Sequence, residues 1–84
     1  MPRYLVETYV PQSRARDARA AGQRARAAAR QLSSKGEPVR YVRTTLLPAD
    51  ETCFHVFDAA SEEAVAEACR LAWLGTPRIV RAIE

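Results

Sequence analysis

The chain has 84 residues, 48% of them hydrophobic and 27% charged, with three glycines and five prolines. That balance excludes a disordered or collagen-like polypeptide, and the length admits one domain with one modest core, because so short a chain buries a smaller share of its surface than a larger one. The net charge of +3 is unevenly spread, +7 over residues 12–43 and −4 over residues 44–84, a polarity that suits nucleic-acid binding, self-association through complementary surfaces, or simply a solvated Arg-rich helix face. No apolar run approaches the roughly 20 residues of a membrane span. Glu7 interrupts what would be the apolar core of a signal peptide, so the protein is expected to be cytoplasmic and not to touch a membrane. Cys53 and Cys69, 16 apart, have no metal-finger spacing and read as free, partly buried thiols.

In chain order, residues 3–10 are β-branched and aromatic, end at Pro11, and form a first strand. Ser13 offers an N-cap for a long helix running to about Ser33, with Ser34-Lys35-Gly36 as its stop. One stripe of that helix holds Ala18, Ala21, Gly22, Ala25, Ala28, Ala29 and Leu32, and the opposite one Arg16, Arg19, Gln23, Arg26 and Arg30. Residues 38–47 make a second strand, and Pro48-Ala49-Asp50-Glu51 a polar turn into a third, Thr52 to Asp58. Ser61-Glu62-Glu63 is an N-cap with two acids in the first turn of a second helix, whose apolar stripe is Ala64, Val65, Ala68, Leu71 and Ala72. Gly75 ends it, Pro77 blocks continuation, and residues 78–83 form a last short strand.

The order β-α-β-β-α-β is the split βαβ arrangement: an α+β, ferredoxin-like single domain over residues 1–84, with a four-stranded antiparallel sheet and two helices on one face. The first and third strands are expected as central neighbours, parallel to each other, with the second and fourth at the edges. Strand alternation turns Val6, Val42, Phe54, Val56 and Val80 towards the helices. The open face then carries Leu5, Glu7, Tyr9, Tyr41, Arg43, Cys53, His55, Phe57, Ile79 and Arg81, a mixture of large apolar and ionisable groups that suits a partner subunit.

On that face Glu7 and His55 are expected within reach of each other, with Cys53 two residues from His55 and Tyr41 and Arg43 on the neighbouring strand. Carboxylate, imidazole and thiol are metal ligands, and His with Glu also serves as an acid/base pair. The candidate metal set is therefore His55, Cys53 and Glu7, and the candidate ligand set Glu7, Tyr9, Tyr41 and Arg43; no catalytic residue is identifiable. Glu7 in mid-strand must be exposed, used, or paired, by Arg43 or Arg81. Trp73 reads as an interface or rim residue. There is no Gly-rich phosphate loop, no Ser-His-Asp set and no zinc-finger spacing, which disfavours nucleotide-dependent chemistry.

The opening Met1-Pro2-Arg3-Tyr4-Leu5-Val6-Glu7 with Pro11, the stretch Val39-Arg40-Tyr41-Val42-Arg43-Thr44-Thr45, Asp50 through Val56-Phe57-Asp58-Ala59-Ala60-Ser61-Glu62-Glu63-Ala64-Val65, and the Arg78-Ile79 ending resemble the family catalogued as domain of unknown function 4242. The resemblance implies a ferredoxin-like fold, oligomers built through sheet faces, and, from the label of some members, nickel binding. Tyr41 stands where the family usually has Trp, and His55 where it usually has Cys. The expected function is a small oligomeric binding module, a homodimer or larger, with an open-face pocket for nickel, another divalent transition metal or a small ligand. The alternative is a cofactor-free enzyme, an oxygenase, isomerase or cyclase of the dimeric α+β-barrel kind. Nucleic acid is not the expected partner, since the Arg stripe lacks interleaved aromatics.

Overall fold

The computed structural model describes residues 1–84. Its elements are β1 (Arg3–Tyr9), a 3-10 turn (Gln12–Arg14), α1 (Asp17–Ser34), β2 (Val39–Leu47), a second 3-10 turn (Pro48–Asp50), β3 (Thr52–Ala59), α2 (Glu62–Leu71) and β4 (Arg78–Ala82). The strands form one sheet in the order β2-β3-β1-β4, and every neighbouring pair is antiparallel. This is the expected α+β, ferredoxin-like βαββαβ fold. The central strands are the first and third, but they run antiparallel rather than parallel. The crossover through α1 returns β2 in the direction of β1, and β3, turning back from β2, slots between them.

Helix boundaries follow local chemistry with two exceptions. Ser61 caps α2, its hydroxyl accepting from the Ala64 amide at 3.2 Å. Gly36 (φ 89) ends α1, where the Glu37 amide donates to the Leu32 carbonyl and the Gly36 amide to that of Ser33, both at 3.0 Å, the paired bonds of a Schellman stop. Ser13 caps nothing: it lies in the 3-10 turn, and α1 starts at Asp17 with no side-chain cap. Nor does Gly75 end α2. The left-handed residue after the helix is Trp73, φ 58, while the Leu74 amide donates to the Cys69 carbonyl at 3.0 Å.

The core lies between the helices and one sheet face, where the Ala stripe of α1 and Ala64, Val65, Ala68 and Cys69 of α2 meet Tyr4, Val6 and Phe57. Register corrects the expected face assignment. Val6 pairs with His55 and Thr8 with Cys53, so Cys53, His55 and Phe57 lie under the helices, all at most 1% exposed. Phe54, Val56 and Val80, expected there, share the open face with Leu5 and Glu7. A β-bulge between Tyr41 and Arg43 also breaks the alternation of β2. It puts Tyr41 under the helices and Arg43 on the open face, where simple alternation keeps them together. The Arg stripe of α1 is exposed; it flanks the edge strand β2 and lines a groove of about 690 Å³.

The open face has an apolar centre, Leu5, Phe54, Val56 and Val80, with ion pairs around it. Arg3 donates to both carboxylate oxygens of Asp58 at 2.8 and 3.1 Å, and Arg40 to one of them at 2.6 Å. The Arg3 bonds, reinforced by Arg40, hold the Asp58 carboxyl down to about 2. Glu7 pairs with Arg78, its register partner on β4, at 3.4 Å, and not with Arg43 or Arg81.

Candidate functional site

The sole histidine sits at the middle of the most buried strand. Its Nδ1 lies 2.8 Å from Thr44 Oγ1, Thr44 Oγ1 lies 2.6 Å from the Tyr41 hydroxyl, and Cys53 Sγ lies 3.8 Å from His55 Nε2. The β2 bulge makes this possible by shifting Thr44 into register with His55 on the helix side. Gly22 completes the fit: a Cβ there would meet Thr44 Oγ1 at 2.7 Å and the Tyr41 hydroxyl at 3.1 Å, so only glycine lets α1 lie on the pair. Burial, with Arg24 adding to it, pushes the His55 imidazole down to about 4. The imidazole is therefore neutral at pH 7, one ring nitrogen donating and the other accepting. Burial also raises both thiols, Cys69 to about 11 and Cys53 against an opposing hydrogen bond from Thr8.

This network connects two hollows. Tyr41 and Thr44 wall the groove between α1 and β2, while His55 reaches a cleft of about 300 Å³ on the other flank of α1, together with Thr8, Tyr9, Arg24 and Trp73. The cleft forms where β1 ends, α1 begins and α2 terminates. Arg24 ties the two helices together, its Nε donating to the carbonyl of Ala72, the C-cap of α2, at 2.8 Å.

Of the residues expected to share a site, Cys53, His55 and Tyr41 come together through Thr44. Tyr9 has open-face parity but, as the last residue of β1, also borders the cleft. Glu7 and Arg43 do not join them: both lie across the sheet, opposite Phe54 and Val56. The three expected metal donors are thus split, and no three His, Cys, Asp or Glu side chains gather anywhere in the chain. Two site residues had escaped the sequence reading. Thr44 is visible only once the bulge is known, and Arg24 falls one position outside the Arg stripe.

Five further arginines gather in two adjoining hollows. Arg16, Arg19, Arg26 and Arg30 line the α1/β2 groove, Arg26 sits 5.3 Å over the Tyr41 ring, and Arg40 borders the adjoining hollow; no carboxylate lines either one. No helix is long and apolar enough to cross a membrane. Compared with known proteins, the chain matches no family model, no curated protein and no solved structure.

Proposed function

We propose that this protein is a small cytoplasmic binding module, a divergent relative of the domain of unknown function 4242 family, that works as a homodimer or larger and holds a small ligand in the His55 cleft of each copy. The observation that carries this reading is the buried, neutral imidazole, fixed by Thr44 and Cys53, at the wall of a cleft. A base whose conjugate acid titrates at about 4 abstracts protons poorly near neutral pH, and thiols held protonated are poor nucleophiles. Both arguments favour recognition over an acid–base or covalent enzyme. Self-association is supported by Leu5, Phe54 and Val80, part-exposed around a buried Val56 on the sheet face turned away from the helices. Two free, buried cysteines suit a reducing compartment. Native mass spectrometry of untagged protein tests assembly and occupancy together: dimers or larger species carrying a bound small molecule are expected, and a bare monomer at high concentration overturns the proposal.

A second reading, a divalent transition metal such as nickel on Cys53 and His55, is favoured by one distance. The Sγ–Nε2 separation of 3.8 Å is close to the span of about 3.6 Å that thiolate and imidazole subtend on a tetrahedral ion. The Thr44 bond to Nδ1 is the kind of contact that orients a ligating imidazole. Two donors leave the remaining positions to water entering from the cleft that His55 lines. Calorimetry with nickel, copper and zinc should then give heats, greatest for copper, that vanish in His55→Ala; equal heats in both proteins retire the metal.

A further inference from the structure

Trp73 is the only tryptophan in the chain, and two features set it apart. Its side chain is 82% exposed, where a large apolar ring gains nothing from the core. Its backbone has φ 58, the left-handed conformation that glycine normally supplies at this helix-terminal position. Folding alone therefore favours another residue at both counts, and such local strain concentrates where a side chain is used. What Trp73 does border is the His55 cleft, with Tyr9, itself 71% exposed, also on its lining.

The charge of the cleft is equally specific. Arg14 donates to Asp17 at 3.1 Å, so these two neutralise each other. Arg24 is in none of the chain's ion pairs. Only its Nε is engaged, by the Ala72 carbonyl, which anchors the guanidinium and leaves its terminal N–H groups free to meet a carboxylate in a two-point contact. An uncompensated cation argues against a cationic occupant, and a space of about 300 Å³ is at the small end for ligand sites.

We infer that the cleft binds a planar aromatic carboxylate, its ring against the indole of Trp73 and its carboxylate on Arg24. The inference rests on the reading of the cleft as a ligand site and names the ligand class. Aromatic faces supply area at little rotamer cost, and stacked rings prefer planar partners. Thr8, whose hydroxyl donates to the Cys53 carbonyl, can still accept a hydrogen bond from a ring substituent.

Calorimetry with three probes separates the parts of the claim: 2-naphthoate, cyclohexanecarboxylate with the same charge but no planar ring, and 2-naphthylmethanol with the ring but no charge. Naphthoate should bind at least tenfold more tightly than either. Trp73→Gly and Arg24→Gln should each weaken it tenfold or more, Trp73→Phe should retain most of the affinity, and Trp73→Gly should melt higher than wild type, so its loss of binding is not unfolding. No binding of naphthoate, equal affinities for the three probes, or unchanged affinity in Trp73→Gly overturns the inference. The cleft as a ligand site survives the last two results, and survives the first if native mass spectrometry still finds a bound species that Arg24→Gln or Trp73→Gly removes.

Discussion

Gly22 illustrates how one residue holds the site together. Alanine has the higher helix propensity by about 1 kcal/mol, yet its Cβ would meet Thr44 Oγ1 at 2.7 Å and Thr44 Cβ at 3.2 Å. A β-branched side chain already hydrogen-bonded on two sides cannot swing away cheaply. Gly22→Ala is expected to destabilise by about 1–2 kcal/mol net, measured by urea denaturation; a gain in stability would mean that α1 rides freely over β2. His55 makes a second prediction. Its folded titration is at about 4 against an ordinary 6.5, so between those values the unfolded chain binds a proton that the native state refuses. Stability is fully present above about pH 6.5, falls as pH is lowered to about 4 by on the order of 3 kcal/mol, and then levels off in this group's contribution. Asp58, held at about 2 against 3.8, adds a loss below pH 4. Urea melts at stepped pH check both, and His55→Gln should remove the first slope only. At this scale the sequence groups His55, Cys53 and Tyr41 with Glu7 and Arg43, which the structure puts on the other face, and misses Thr44, because a bulge leaves no mark in the residue types around Val42.

Among the elements, the strands, both helices, the stop at Gly36 and the N-cap at Ser61 were legible because each has a local chemical cause. The end of α2 was not. Nothing in Ala72-Trp73-Leu74 advertises a left-handed tryptophan, and Gly75 is the residue that propensity selects. Trp73→Gly should therefore stabilise the fold by about 1 kcal/mol, a rise of about 5 °C in melting temperature for a domain of this size. Unchanged or lower thermal stability would show that the indole is held by packing rather than tolerated at a cost. The faces of β3 were misread for a related reason. A central strand is apolar on both sides, and Phe54 and Val56 look more like a core than Cys53 and His55 do. Only pairing decides, and pairing turns the His-bearing side to the Ala-lined helix, where Thr44 satisfies the imidazole.

The whole molecule is polarised twice, by hydrophobicity across the sheet and by charge across α1. With Phe54, Val56 and Val80 beside Leu5, the open face has an apolar centre, and the proposed assembly is expected to use it. Phe54→Asp should raise the dimer dissociation constant at least a hundredfold in sedimentation, since the carboxylate would be buried without a partner; an unchanged assembly would locate the interface elsewhere. The Arg groove should bind mixed-sequence RNA and DNA weakly, with affinity vanishing near physiological salt, because only a few phosphates can be neutralised there. Tight binding that survives such salt, and is lost in Arg19→Glu with Arg26→Glu, would make nucleic acid a partner. Arg3 on β1 lies opposite Ala82 on β4, and its guanidinium holds Glu84 at 2.9 Å, so the first and last strands are side by side. A short linker can join the ends and the chain can be reopened at the Pro48–Asp50 turn. The circular permutant, reading β3-α2-β4-β1-α1-β2, would keep every strand pair and leave the His55 cleft intact, while Cys53 and Thr44 on the two sides of the site would enter the fold from opposite ends of the polypeptide.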